Sequence, residues 1–296
     1  MYDGAWRSEG RSGARVGAEV GDSARDGELA RNDGAAEVAF GGDGRLVHLY
    51  QSTPCRVAFP RAEPGDVPLG VFITTSGGLA GGDRLRFRAA VADGGRAMVT
   101  TQAAEKIYRS LGADTRIDIA VEAGAGAWVE WLPQETIVFD RARLRRRTDI
   151  HVGPGARALA GEMLVLGRSA HGESVASGLV HDAIRVHRGG RLVWADAVRL
   201  DGDIAALVGS RAGFGGSTAL ATVVYAADDA ASFLDGARGL LPDGGVHAGA
   251  TVVNGLLVVR LLGEPFAVRR GFVQWWTGFR AAAGGLPARL PRLWSM

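Results

Sequence analysis

The sequence contains very little cysteine and lysine. Among its 296 residues, Cys55 is the single cysteine and Lys106 the single lysine. One cysteine excludes an intrachain disulfide and a cysteine metal cluster, and such usage is typical of a reducing compartment. The cations are therefore almost all arginines, which we interpret as the result of a GC-rich coding sequence.

Long apolar segments are also lacking. No apolar run reaches the ~20 residues that a membrane-spanning helix needs, and the N-terminus has no apolar signal core. The formal net charge of +2 is nearly balanced, and the arginines are scattered along the chain. Nucleic acid would require a concentrated basic stripe. The sequence therefore predicts a cytoplasmic globular protein with no membrane and no nucleic-acid partner.

The motifs of common catalytic sites are absent from the sequence. Its six histidines are scattered and form no His-x-x-x-His pair of the kind that holds catalytic zinc. It has no Gly-x-Ser-x-Gly elbow and no Walker-type Gly-Lys-Ser/Thr. A β-rich enzyme is left as an alternative, but its active site would have to be assembled from residues distant in sequence.

What the sequence does contain is a clear β pattern. In residues 84–91, four apolar residues alternate with polar ones, which indicates a strand with one buried face. Asp93-Gly94-Gly95 supplies a tight turn, and residues 97–100 read as an antiparallel partner strand. This hairpin would bring the glycine-rich run 77–83 close to residues 102–110.

The turn belongs to a repeating unit. The units Val91–Ala97, Val121–Ala127 and Val152–Ala158 each have Val first, Gly three residues later and Ala six later, and Val186–Leu192 is a looser fourth copy. Such periods indicate a supersecondary unit that buries its apolar face by stacking on its neighbours. We therefore predict a mainly β fold of stacked antiparallel hairpins, elongated and solenoid-like, over residues 34–296.

Two segments have helical patterns, at about 228–241 and 265–281. The first has Asp228 or Asp229 as a possible cap, and the second begins at Pro265. The second carries an aromatic face that includes Phe272, Trp275 and Trp276. Such a face is either a core stripe within the domain or a docking surface for a partner.

The first residues of the chain have a different composition. Residues 1–33 are rich in Gly, Arg, Ser, Asp and Glu and contain few large apolar side chains. They cannot bury enough surface to offset the entropy cost of ordering. We predict a flexible leader whose removal leaves function unchanged.

The glycine-rich run 77–83 has two interpretations. It could cradle a phosphate, but that chemistry needs a helix N-terminus behind the loop, and an amphipathic strand follows instead. Close approach of a neighbouring chain segment explains the missing side chains better.

Acidic residues recur in the repeat frame. Position nine or ten of successive units is Thr100 or Thr101, Glu130, Glu162 and Asp196, which suggests carboxylates along one edge of the stack. A ladder of carboxylates can relay a divalent ion by ligand exchange, but it can equally be a solvated acidic edge.

Glu130 lies within a strongly apolar strand, where an inward carboxylate must be paired or coordinated. The nearest motif-borne partners are Arg109, Arg168 and Lys106. Asp83 and Glu135 end turns, and turn capping is their default role.

The chain resembles the family of urease accessory proteins called UreD, or UreH. The resemblance rests on the separated motifs Gly77–Asp83, Thr101–Ser110, Glu130–Glu135, Leu166–Arg168 and Leu290–Trp294, in that order. Within these motifs, the residues expected to have a structural role are Gly77, Gly78, Gly81, Gly82, Gln102, Lys106, Tyr108, Arg109 and Arg168. It covers about residue 37 to the end, and the family's fold of many strands with two helices agrees with the β pattern.

The resemblance implies a scaffold rather than an enzyme. With UreF and the GTPase UreG, and possibly UreE indirectly, UreD proteins act on the urease apoprotein and deliver nickel, which passes through without being stably bound. An internal polar passage is implied, and its candidate ligands here are Asp83, Glu130, Glu135, Glu162, Asp201 and Asp203. Candidate partner-binding residues are Phe272, Trp275, Trp276, Arg292 and Trp294. A pure adaptor for UreF, without metal transit, is the other alternative.

Overall fold

The computed structural model describes residues 31–168 and 172–295. The predicted leader lies almost wholly outside these residues. The strands are β1 (Asp33–Phe40), β2 (Leu46–Ser52), β3 (Cys55–Ala58), β4 (Leu69–Thr74), β5 (Arg84–Val91), β6 (Arg96–Thr101), β7 (Glu105–Ile107), β8 (Thr115–Ala123) and β9 (Trp128–Leu132). They continue with β10 (Thr136–Val138), β11 (Arg143–Val152), β12 (Arg157–Leu166), β13 (Ser177–Arg188), β14 (Arg191–Asp203), β15 (Ala219–Ala226), β16 (Val246–Val253) and β17 (Leu256–Gly263).

The strands form two sheets. The first, sheet A, has the order β14-β13-β11-β8-β5-β1-β2, and the second, sheet B, has the order β16-β17-β15-β12-β9-β6-β4-β3. The chain alternates between the sheets and makes a β-solenoid of about four turns. The predictions of a mainly β, solenoid-like fold with few helices are confirmed.

The predicted antiparallel hairpin is wrong. Strand β5 pairs in parallel with β1 and β8 in sheet A, whereas β6 pairs in parallel with β4 and β9 in sheet B. The turn at Gly94, where φ is 70°, therefore leads from one sheet into the other. Successive turns stack, with Gly94 N donating to Ala125 O at 2.8 Å and Gly126 N to Pro154 O at 2.9 Å. Only the looser fourth unit is a true hairpin, between β13 and β14.

Three α-helices complete the described part of the chain. They are α1 (Ile204–Gly209), α2 (Leu234–Gly239) and α3 (Pro265–Gly284), and a 3-10 turn at Ala230–Phe233 precedes α2. The carboxylate of Glu264 caps α3 by accepting from Ala267 N at 3.0 Å, and Gly285 ends it at φ 59°. Both predicted helical segments are confirmed. Helix α1, which has only six residues, was not predicted from the sequence pattern.

The apolar residues form two cores on opposite faces of sheet B. One lies between the two sheets, and the other lies between sheet B and α3. Phe272, Trp275 and Trp276 of α3 are each 0% exposed, with Trp275 stacked on Phe279 at 4.5 Å between ring centroids. Their predicted role as a docking face is therefore wrong, and the core alternative is confirmed.

Candidate functional site

The glycine-rich run 77–83 is held against residues 106–110. Leu79 N donates to Lys106 O, and Tyr108 N donates to Leu79 O, each at 2.7 Å. A Cβ on Gly78 would lie 2.5 Å from the Tyr108 ring, so a close approach explains this missing side chain. The predicted proximity of the two segments is confirmed, although no hairpin produces it.

Asp83 caps this loop. Its carboxylate accepts from Ala80 N at 2.8 Å and from Asn32 N at 2.8 Å, and the residue is 4% exposed. All of these bonds stabilise the turn and the start of β1. The default interpretation of Asp83 as a turn cap is thus confirmed by its hydrogen bonds.

Glu130 is completely buried and paired. It extends from β9 toward α3, where Arg280 Nη2 donates to its Oε1 at 3.0 Å and Trp276 Nε1 donates to its Oε2 at 2.8 Å. The same guanidinium also pairs with Asp66 at 2.7 Å. The expected pairing of an inward carboxylate is confirmed, but the partners proposed from nearby motifs are wrong. Arg168, for example, pairs with Glu173 instead.

Glu162 is also buried, but it faces the other way. It extends from β12 into the layer between the sheets, where Thr148 Oγ1 donates to its Oε1. Its Oε2 forms an ion pair with Arg146, 2.6 Å from Nε, and the same N–H donates to Asp182 Oδ1 at 2.8 Å. Burial raises the pKa of Glu162 to about 7, although Arg146 acts to lower it.

The predicted acidic ladder along one edge is therefore wrong. Glu130 is level with Leu159 across the β9–β12 pair, so Glu162, three residues further on, has the opposite orientation. Asp196 belongs to the other sheet altogether. The repeat aligned these residues only to position nine or ten of each unit. A shift of one residue along a strand turns the side chain to the opposite face of the sheet, so this alignment could not decide the face.

A polar seam runs between the sheets on the side of the last strands. We use this name for Arg146, Thr148, Asp182 and Asp196 of sheet A together with Glu162, Thr222 and Arg260 of sheet B. The register supports it: Arg146 is level with Asp182, and Thr222 is level with both Glu162 and Arg260. Arg146 Nη2 lies 2.6 Å from Asp182 Oδ2, and Arg260 forms an ion pair with Asp196.

The seam encloses a small cavity and meets a larger groove. The cavity has a volume of about 20 Å³, and its polar lining consists of Glu162, Asp182, Asp196 and Thr222. The groove, of about 660 Å³, lies beside it between β14 and strands β16 and β17. Val198 and Leu220 line both, so the groove adjoins the cavity.

The other predicted transit residues lie elsewhere. Glu135 pairs with Arg269 of α3 at 2.5 Å, Asp203 caps α1 through Ala206 N at 2.9 Å, and the exposed Asp201 pairs with Arg199 at 2.8 Å. The hydrogen bond from Arg199 holds the pKa of Asp201 below its usual range. Of the six predicted transit residues, only Glu162 lines the cavity.

The C-terminal candidates differ from each other. Trp294 is 4% exposed, and its Nε1 donates to Thr100 Oγ1 at 3.1 Å, so it packs within this domain. The Arg292 side chain is 92% exposed and makes one long ion pair with Glu63 at 3.3 Å. Partner binding remains a prediction for Arg292 alone.

Sequence reasoning missed several residues that the site depends on. Arg146 could have been found, because it shares the inward positions of β11 with Leu144, Thr148 and Ile150. The same alternation places Asp182 beside it. Arg280 and Asp66 had no such signal, because their contacts join residues 214 positions apart.

The donor set limits what the seam can hold. No group of three or more His, Cys, Asp or Glu side chains within residues 31–168 and 172–295 is arranged to hold a metal ion. A cation in the cavity would meet carboxylate and hydroxyl oxygens, with the guanidinium of Arg146 beside Glu162 and Asp182. These groups can exchange with the water ligands of a divalent cation.

Comparison with known proteins supports the motif resemblance. The family described as UreD urease accessory protein matches residues 32–295. The chain belongs to the UreD family. Urease accessory protein UreD of Magnetococcus marinus is 48% identical over 261 residues, covering 86% of this chain and 90% of the relative. The relative of the same name from Xanthobacter autotrophicus is 43% identical over 278 residues, covering 92% and 93%.

Membership in the UreD family settles the broad role. The chain is an accessory protein of urease maturation, associated with assembly of the nickel centre, and it is not a catalyst. It works within the urease maturation complex. Among the described residues, no helix is both long enough and apolar enough to cross a membrane.

Proposed function

We propose that this UreD-family chain passes nickel to apo-urease through the polar seam. The observation that carries the proposal is the position of Glu162: its carboxylate is 3% exposed, lines the cavity, and shares the guanidinium of Arg146 with Asp182. When both carboxylates are ionised, one arginine leaves them with an unbalanced negative charge, which a cation would offset. The adjoining groove supplies the way in.

The chemistry of the seam suits transit better than storage. A volume of about 20 Å³ accommodates one water-sized species, so a cation would have to shed most of its hydration shell there. Carboxylate and hydroxyl oxygens replace that shell, whereas thiolates would hold the metal more tightly. Since the pKa of Glu162 is about 7, protons compete with the cation near neutral pH.

The partners follow from the family. We assign UreF, UreG and the urease apoprotein as direct partners in the cytoplasm, with UreE acting indirectly. The nickel ion is cargo in transit and not a resident cofactor. Arg292, at 92% exposure of its side chain, is the one predicted partner-binding residue that is open to solvent.

Replacement of Glu162 tests transit directly. Glu162→Gln keeps the size and the acceptor for Thr148, but it removes the charge that a divalent ion needs. The complex with UreF, UreG and apo-urease should still co-purify, while the nickel content and activity of urease fall at least about fivefold. Asp201→Asn, on the exposed surface, is the matched control and should deliver nickel normally.

A pure adaptor predicts a different result. If Glu162→Gln assembles and delivers nickel like the unmodified protein, the seam is only structural and the adaptor function takes its place. Thermal unfolding of both variants identifies any loss that comes from a destabilised fold.

A further inference from the structure

The junction between the groove and the cavity is occupied by one ion pair. Arg260 lines the groove, and Asp196 lines the cavity. They come from different sheets, Arg260 from β17 of sheet B and Asp196 from β14 of sheet A, and their side chains form an ion pair. The pair therefore joins a residue that lines the groove to one that lines the adjoining cavity.

The two arginines of the seam differ in exposure. Arg146 is 3% exposed and is held by two ion pairs, one with Glu162 and one with Asp182. Arg260 is 48% exposed and Asp196 27%, so water competes for their ion pair. Exposed ion pairs of this kind contribute little to stability and are easily broken. Arg260 is thus the movable cation of the seam.

The position of Arg260 decides the charge at the junction. A guanidinium stays protonated at any physiological pH, so Arg260 in place neutralises Asp196 and occupies the position that a cation would take beside it. With Arg260 withdrawn, Asp196 presents a carboxylate instead, next to Glu162 and Asp182 across the cavity. One side-chain movement therefore converts a neutral ion pair into an unpaired carboxylate, which attracts a cation.

We propose that the Arg260–Asp196 ion pair is a gate that keeps divalent cations out of the carboxylate cavity until Arg260 leaves Asp196. The gate rests on the proposed transit function and adds regulation to it: the closed state prevents free metal from entering a chain that is not delivering nickel. Arg260 acts as a positioning residue, since it excludes the cation and does not ligate it.

Paramagnetic relaxation measures entry. Mn²⁺ would be added to the full chain labelled with ²H and ¹⁵N, and relaxation of the amides of Glu162, Leu164 and Thr222 would report its arrival in the cavity. Arg260→Gln should raise this relaxation at least about threefold over the unmodified protein, and Arg260→Ala should do the same. Arg260→Lys keeps the charge and should behave like the unmodified protein.

Two controls separate the gate from general effects. Arg199→Gln removes an exposed arginine on the outer side of β14, paired with Asp201, and should leave the cavity amides unchanged. Adding Glu162→Gln to Arg260→Gln should abolish most of the gain, because the entering cation loses its innermost carboxylate.

The outcomes distinguish the gate from the transit function. If Arg260→Gln and Arg260→Ala relax the cavity amides no more than the unmodified protein, the gate is overturned, while a delivery defect of Glu162→Gln would leave transit standing. If Arg260→Gln admits Mn²⁺ but Glu162→Gln delivers nickel normally, the gate holds as a property of the cavity and the transit function fails.

Discussion

Arg280 donates Nη2–H to Glu130 Oε1 at 3.0 Å, and both side chains are 0% exposed. The contact joins α3 to β9 across 150 positions of sequence. Arg280 Nη1 also donates to the carbonyls of Pro287 and Arg289 at 2.8 and 2.9 Å. One guanidinium thus fixes the last helix and the segment that follows it against sheet B.

Replacement of Glu130 should therefore destabilise the fold. Glu130→Gln leaves Arg280 with Asp66 as its only carboxylate, and loss of one partner of a buried ion pair should lower the free energy of unfolding by about 2–4 kcal/mol. Urea denaturation measures this change. Asp43→Asn, in the exposed pair with Arg45, is the control and should change it by less than about 0.5 kcal/mol. Equal stability of the two variants would contradict the structural role of Glu130.

Two glycines should respond oppositely to alanine. A Cβ on Gly161 would lie 2.6 Å from the Trp276 ring, so Gly161→Ala should destabilise the protein by about 1–3 kcal/mol through overpacking. Gly236 lies in α2 with no heavy atom within 4 Å of its added Cβ, so Gly236→Ala should stabilise it by about 0.5–1 kcal/mol. Thermal unfolding of both variants is the measurement, and a stabilised Gly161→Ala would refute the close packing of α3 on β12.

Glu105 should make stability depend on pH. Burial raises its pKa from the usual 4.5 to about 7, while Thr74 Oγ1 donates to its Oε2 at 2.8 Å. The folded state therefore binds more protons than the unfolded state between these values, and Glu105 lowers stability as pH rises through that window. Glu105→Gln does not titrate, so its free energy of unfolding should improve by about 1–3 kcal/mol relative to the unmodified protein between pH 5 and pH 8.

The matched control for this titration is Glu173→Gln, whose carboxylate pairs with the exposed Arg168. Its stability relative to the unmodified protein should not improve with rising pH. If the free energy of unfolding of Glu105→Gln relative to the unmodified protein does not change between pH 5 and pH 8, the Glu105 carboxylate is not buried in solution.

The single thiol should be unreactive in the folded protein. Cys55 is 0% exposed, and burial raises its pKa to about 12. At pH 8 its reaction with an aromatic disulfide reagent should be slower by about a hundredfold or more than in the denatured chain. Because no second cysteine is present, the absorbance of the released thiolate reports this site alone. Rapid labelling of the native protein would contradict the burial of Cys55 against Gly34 of β1.

Local sequence patterns predicted much of this protein. Alternation in residues 84–91 identified β5, recurring Val-Gly-Ala units identified the solenoid turns, and Pro265 with its aromatic stripe identified α3. Ordered motifs identified the UreD family. Each of these signals lies within a short stretch of chain, where strand and helix periods and turn glycines act directly.

Only the tertiary structure decided which sheet each strand enters and which face each carboxylate takes. Side chains alternate with a period of two along a strand, so one residue of uncertainty in a turn separates Glu130 under α3 from Glu162 in the polar seam. The partners of these carboxylates are equally hidden in the sequence. Arg280 meets Glu130, and Arg260 meets Asp196, because the packing of sheets and helix brings together residues that are 150 and 64 positions apart.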